Sequence, residues 1–171
     1  MSGLVIWITG LPGSGKSSIA DAVWKARPDF VILRMDDLRK ILTPEPTYSE
    51  SERDLVYRSI VFTAKVIAEL GNNVIIDATG NLRRWRDLAR AIVPRYAEVY
   101  VRCPIETCRE REASRKDRRG APEDVYNKAK AGWPVPGISA PYEEPMQPDI
   151  VIESDHTSAE DAADLVLHLI E

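Results

Sequence analysis

The sequence predicts an α/β fold, with three layers (α/β/α) built around a five-stranded, mostly parallel sheet. Three observations carry this expectation. Five short apolar runs, "LVIWIT" from Leu4, "FVILR" from Phe30, "NVIID" from Asn73, "EVYVR" from Glu98 and "DIVIE" from Asp149, alternate with longer stretches of helical pattern. The runs are almost continuously apolar rather than alternating in polarity, as strands covered on both faces are, and strand–helix alternation winds a parallel sheet. Directly after the first run stands "GLPGSGKSS", Gly10 to Ser18, which satisfies G-x-x-x-x-G-K-[ST] between a strand and a helix. That is a phosphate-binding loop, so the expected fold is that of a P-loop NTPase.

Each element follows from local signals. The first helix starts inside the phosphate loop and puts Ile19, Ala20, Val23 and Trp24 on one face. The second strand ends in "MDDLRK", with Asp36 and Asp37 at the carboxyl edge and a helix expected from Leu38. A longer helix from about Ser51 to Leu70 buries Val56, Ile60, Val61, Ala64 and Ile67 and ends at "GNN". The third strand carries Asp77 at its carboxyl end. Arg83, Arg86 and Arg90 then share one face of the next helix, which reads either as a solvated face or as an acceptor site. The last helix opens with Ser158 and Asp161 spaced as a capping box and repeats Ala162, Leu165, Val166 and Leu169.

Two stretches interrupt this rhythm: "REREASRKDRRGAPED" from Arg109 and the proline-rich "GWPVPGISAPYEEPMQPD" from Gly132. Between Arg109 and Arg119 six basic residues stand against three acidic ones. Mobile cations that close over a transferring phosphoryl group are what a kinase lid supplies, so residues 109–146 are expected to form a basic lid, with Arg111, Arg115, Arg118 and Arg119 as candidates.

The totals bound the rest. A chain of 171 residues fits one domain, residues 1–171, and a net charge of −4 argues against a general nucleic-acid coat. With only Cys103 and Cys108 and no apolar leader, a reducing cytoplasm is the expected compartment. His156 and His168 lack zinc-ligand spacing relative to those cysteines, and no run approaches the ~20 apolar residues of a membrane span.

The phosphate loop names the donor. Backbone N–H groups of Leu11, Pro12's neighbours, Gly13, Ser14, Gly15, Lys16, Ser17 and Ser18 are expected to cradle the phosphates of ATP, with Lys16 on the β- and γ-phosphates and the Ser17 hydroxyl on Mg²⁺. A hydroxyl acceptor needs a carboxylate near it. Asp36 is assigned that catalytic role and a share of the metal, with Arg39 as a clamp for an anionic acceptor; the alternative is that Asp36 and Asp37 merely cap the following helix.

Beyond the loop, "WITGLPGSGKSSIA", "EVYVRCPIETCRERE", "VYNKAKAG" and "GISAPYEEPMQPDIVIESD" resemble the adenylylsulfate kinase family over most of the chain. The resemblance implies transfer of the γ-phosphate of ATP to the 3′-hydroxyl of adenylyl sulfate with Mg²⁺, and homodimers among relatives. It implies that Asp36 and Arg39 are the acid and arginine after the second strand, that Arg53, in "YSESERD", binds the acceptor, that Arg111 lies near the nucleotide base and that Lys128 is the lysine of the lid's Y-x-K-A; Arg115, from the basic stretch, is placed with the nucleotide, and the acceptor is expected between Asp36, Arg39, Arg53 and the region near Asn81. Departures cluster where the acceptor lies: "RMD" stands for the family's D-G-D, Tyr48 for a phenylalanine, Val56 for an asparagine, and "PVPGI" for N-F-T-G-I, with Trp133 as a substitute ring. "RMDDLRK", "VIIDATGNLRRWRD" and "RKDRRGAPEDV" instead resemble the polynucleotide 5′-kinase group. The readings are therefore an adenylylsulfate-kinase-like phosphotransferase first, a kinase for another nucleotide or a nucleic-acid 5′ end second, and a non-catalytic ATP switch third.

Overall fold

In a computed structural model of the chain, residues 1–116 and 122–170 are described. The elements run β1 (Val5–Thr9), α1 (Lys16–Ala26), β2 (Val31–Arg34), α2 (Met35–Leu42), α3 (Glu50–Glu69), β3 (Val74–Asp77), α4 (Arg83–Ile92), β4 (Tyr96–Arg102), α5 (Ile105–Ser114), α6 (Val125–Lys128), β5 (Ile150–Glu153) and α7 (Ala159–Leu167). Every strand pairing is parallel, in the order β2-β3-β1-β4-β5, so the expected mostly parallel sheet is wholly parallel.

β1 is the centre of the sheet and is buried at every residue. Its side chains alternate between the two layers. Ile6 and Ile8 join Ile19, Val23, Val99 and Val166 under α1 and α7, while Val5 and Trp7 join Val56, Ile60, Ile76 and Trp85 under α3 and α4. Removing each large apolar side chain from water contributes about 1.5–3 kcal/mol, which is why such a strand tolerates no polar residue until its carboxyl end. Three expected core residues lie elsewhere: Trp24 and Leu165 are exposed, and Ile67 is half-buried. Each sits at the margin of its helix's apolar stripe, where neighbouring positions already fill the contact with the sheet.

Helix ends follow the local chemistry in two places and depart from it in one. Ser158 caps α7 by accepting from the Asp161 N–H, and α3 ends where Gly71, at φ +92°, takes the left-handed turn that lets its N–H reach the Ala68 carbonyl at 2.9 Å. α2, however, begins at Met35 rather than Leu38, with Arg34 at its N-cap and no side-chain cap. Asp36 and Asp37 thus sit in the first helical turn and cap nothing.

Of the three arginines expected on one face of α4, Arg86 is buried, Arg83 half-buried and Arg90 exposed, and all three bond protein groups rather than line the cavity described below. Arg86 is 1% exposed; it faces Glu98 of β4 at 3.1 Å, donates to the Thr9 hydroxyl at 3.2 Å and also donates to the Glu143 carbonyl. Arg90 pairs with Glu98 at 3.1 Å, and the Arg83 side chain donates to the Glu144 carbonyl at 2.9 Å. Together they fasten the return segment 141–149 to α4 and β4, which also consumes the charges that a nucleic-acid groove would need. Among the described residues no helix is long and apolar enough to cross a membrane.

Arg86→Ala is expected to cost about 3–5 kcal/mol in urea unfolding, because it leaves the buried Glu98 carboxylate with only the exposed Arg90 and deprives the Thr9 hydroxyl and the Glu143 carbonyl of their buried donor. Replacing both residues by apolar ones of similar volume, Arg86→Met with Glu98→Leu, is expected to recover most of that loss.

Candidate functional site

The Gly10–Ser18 loop leaves the carboxyl end of β1 and turns directly into α1. Gly13 has φ +79°, and a Cβ there would stand 2.5 Å from the Cys108 carbonyl, so the loop rests against α5 only because position 13 has no side chain. The seat is completed from β5. Ser154 donates to the Ser14 carbonyl at 2.6 Å, while the Arg111 guanidinium donates to the same carbonyl at 3.2 Å and to the Ser154 carbonyl at 2.7 Å.

Above the loop lies a cavity of about 430 Å³. Pro12, Gly13, Gly15, Lys16, Ser17, Ser18, Arg111 and Arg115 line its phosphate side; Asp36, Arg39, Tyr48, Arg53, Asp77, Lys128 and Trp133 line the other. Two residues expected to hold nucleotide lie off this wall. Leu11 lines a neighbouring groove with Pro104 and Ile105, and its carbonyl accepts from the Lys16 ammonium at 2.8 Å. Ser14 is wholly buried, because its carbonyl is the anchor just described. Arg111 spends its N–H groups inside the protein and presents the remainder of its guanidinium to the cavity. Arg118 and Arg119 lie outside the described residues.

Electrostatics concentrate around Lys16. Burial pushes its ammonium pKa down, opposed by Asp77 and Asp36. Burial likewise pushes the Asp36 carboxyl up, and the neighbouring Asp77 charge adds to this, against Lys16, Arg115 and Arg39. Asp77, at the end of β3 in register with Ile8, is held by Arg34, whose Nη1 donates to it at 2.8 Å while Nη2 reaches Asp21 of α1. Strand β2 therefore ends in a cation, and the acid it holds comes from β3.

On the far side of the cavity two aromatic rings meet: Tyr48 and Trp133 stand 4.9 Å apart between centroids, tilted by 53°. Each carries a cation. Arg39 lies over Tyr48 at 5.1 Å and Lys128 over Trp133 at 4.9 Å. Tyr48 has φ +55°, a conformation uncommon for a residue with a side chain. Glu52 holds it there, since its carboxylate accepts from the Thr47 and Tyr48 N–H groups at 2.8 Å each, while the Ser49 hydroxyl accepts from the Glu52 N–H. The S-x-x-E signal of a capping box is plain in "SESE", but the glutamate accepts from the two residues ahead of the N-cap rather than from Ser49, whose N–H meets the Thr47 hydroxyl, and so aims Tyr48. Arg53 also reaches the cavity, with its Nη2 donating to the Asn81 side-chain oxygen and its guanidinium over Trp85 at 5.7 Å. Asn81 itself is 1% exposed and does not line the cavity; it donates to the Pro141 carbonyl at 2.8 Å and works through Arg53, because the return segment covers it.

The sequence model of the adenylylsulphate kinase family matches residues 2–153. The chain belongs to that family. A probable adenylyl-sulfate kinase of Bacillus subtilis (strain 168) is 34% identical over 98% of this chain and 83% of its own length. A second, from Archaeoglobus fulgidus, is 33% identical over 88% of this chain and 96% of its own. Among solved structures, Mycobacterium tuberculosis APS kinase CysC in complex with AMPPNP and APS superposes with a TM-score of 0.85 at 29% identity, covering 99% of this chain and 98% of that one. A sugar kinase from Janibacter sp., at 19% identity and a TM-score of 0.73, shares the fold alone.

The raised Asp36 carboxyl has a consequence for stability. The folded protein holds this proton more tightly than the unfolded chain does, so the residue's contribution falls as pH rises through the carboxylate range. Asp36→Asn is accordingly expected to raise Tm at neutral pH, with the difference from the native protein closing as pH is lowered; thermal melts across pH 3–8 check this.

Proposed function

We propose that this protein transfers the γ-phosphate of ATP to the 3′-hydroxyl of adenylyl sulfate. The observation that carries the reading is that one cavity is lined both by Lys16, Ser17 and Asp36 and by the Tyr48–Trp133 pair. On this reading the triphosphate lies on the N–H groups of the phosphate loop and the start of α1, with Lys16 on the β- and γ-phosphates. The acceptor's adenine stacks on Tyr48 and Trp133, and its sulfate–phosphate group meets Arg39, Arg53 and Lys128, three cations that line the same cavity.

Asp36 takes the proton of the attacking hydroxyl. A bond forms between that oxygen and the γ-phosphorus as the bond to the β-phosphate oxygen breaks, and ADP leaves with the electron pair. Arg115, and Lys16 beneath it, offset the charge that builds on the transferred group.

The residues present suit a magnesium ion. Ser17, Asp36 and Asp77 bring hard oxygen donors to one cavity, and among the described residues no cluster of three or more His, Cys, Asp and Glu side chains forms a cage of its own. That is the donor set expected of an ion held largely by substrate phosphates and water. When bound, it would screen the phosphate charge and orient the γ-phosphate. It would also relieve the mutual repulsion of Asp36 and Asp77.

ADP release from MgATP is expected to rise on adding adenylyl sulfate and to stay at its basal level with a 5′-hydroxyl oligonucleotide, with Lys16→Ala inactive in both. Stimulation by the oligonucleotide alone would replace this reading with the nucleic-acid one. Asp36→Asn is expected to lower kcat by roughly 10²–10⁴-fold while ATP affinity, read by calorimetry, stays close to native. Trp133→Ala and Asn81→Ala are each expected to raise the KM for adenylyl sulfate about tenfold and leave that for ATP unchanged, the first through lost stacking and the second by releasing Arg53.

A further inference from the structure

Tyr57 lines the cavity but takes no part in the transfer described above. It lies one helical turn after Arg53 on α3, so the two share a face, and it reaches the cavity although it is only 4% exposed. Its ring is stacked on Trp85 at 3.9 Å between centroids and 10°, and on Trp7 at 6.2 Å and 14°. Both indoles are themselves anchored: Trp7 donates to the Ala78 carbonyl at 3.0 Å and Trp85 to the Asp54 carboxylate at 2.8 Å. A ring packed in this way cannot swing, so β1, α3 and α4 together fix where its hydroxyl sits.

That hydroxyl meets the segment leaving β3. The Gly80 N–H donates to it at 3.0 Å, and Gly80 itself, at φ +56°, rests so close on Trp7 that a Cβ would stand 2.8 Å from the indole. The contact uses a lone pair of the phenol oxygen and leaves the phenol's own proton to be donated. Among the described residues no group accepts it. Buried hydroxyl groups are nearly always paired, so a donor held this rigidly beside a cavity calls for an account. Burial raises the phenol's pKa, against the Gly80 N–H and the charges of Arg39 and Arg53, so the group keeps its proton at any pH near neutral. Arg39, Arg53 and Asp36 are the charged groups whose fields act on it, two cations of the acceptor side and the acid.

We propose that the Tyr57 hydroxyl is an acceptor-binding donor, which hydrogen-bonds an anionic oxygen of the sulfate–phosphate group drawn in by Arg39 and Arg53. The assignment rests on adenylyl sulfate being the acceptor. Guanidinium groups on long side chains attract the charge of that group as a whole; a phenol locked between packed rings meets one oxygen at one place, and so sets the register of the acceptor in the cavity. Because that oxygen is not the reacting one, the bond is the same before and during transfer, and its loss falls on KM rather than on kcat.

Steady-state kinetics of the full chain with MgATP and adenylyl sulfate test this. Tyr57→Phe keeps the ring in its stack and removes only the hydroxyl. It is expected to raise the KM for adenylyl sulfate roughly 10- to 100-fold, the worth of a hydrogen bond to a charged group, with kcat and the KM for ATP close to native. The variant also leaves the Gly80 N–H without its acceptor, so its urea midpoint is expected to fall. Ile60→Val, one turn further along the buried face of α3 and away from the cavity, supplies a loss of stability with the phenol intact, and is expected to leave the KM for adenylyl sulfate unchanged. A Tyr57→Phe protein with the native KM for adenylyl sulfate would overturn the contact alone, as would an Ile60→Val protein whose KM rises as far. A native protein that adenylyl sulfate does not stimulate would overturn the proposed function and this contact with it.

Discussion

Two-sided burial of β1 is the constraint on which the rest of the structure depends. A strand flanked by β3 and β4 and covered above and below by helices can be only apolar, and its first polar work is done at its carboxyl end. There the chain must leave the sheet. It leaves as a glycine-rich loop whose path is fixed from outside by the Ser14 carbonyl, held by Ser154 of the β5 end and by Arg111 of α5. The same sheet edge delivers Asp77 from β3 and Asp36 from the start of α2. The carboxyl ends of parallel strands thus concentrate phosphate donors and acids in one place, as open α/β sheets do.

Arginine has three separate roles in this chain, and they are easily confused in one dimension. Arg39, Arg53 and Arg115 line the cavity. Arg86 and Arg90 instead share Glu98, and Arg83 and Arg86 hold carbonyls of the return segment, so a strongly basic helix turns out to be a strut. The strut matters to the site because the segment it fastens accepts from Asn81, and Asn81 in turn holds Arg53. Arg34 is a third kind of case, a cation at a strand end that holds the acid Asp77 from behind rather than facing the cavity contents.

The aromatic side of the cavity rests on local chemistry of a different sort. Tyr48 adopts a left-handed backbone, which costs free energy for any residue with a Cβ. The Glu52 carboxylate offsets that cost by accepting two successive N–H groups of the turn while its own N–H caps back on Ser49. The ring is thereby aimed at Trp133, which arrives from the lid side of the chain, and both rings are topped by cations from different elements.

The sequence by itself determined the sheet, its parallel winding, the phosphate loop and the family, because each is written in short-range pattern: continuous apolar runs, glycines at fixed spacing, a lysine and a serine where a helix begins. It also named Asp36, Arg39, Arg53, Lys128 and Trp133, all of which line the cavity. Other features lay beyond it. Whether a basic helix face meets water, ligand or protein depends on what packs against it, and Glu98, Glu143 and Glu144 come from remote positions. The shielding of Asn81, the inward turn of Ser14 and the pairing of Arg34 with Asp77 likewise arise only when strands distant in sequence are laid side by side. Spacing along a chain fixes which face a side chain occupies; only the tertiary structure decides what that face meets.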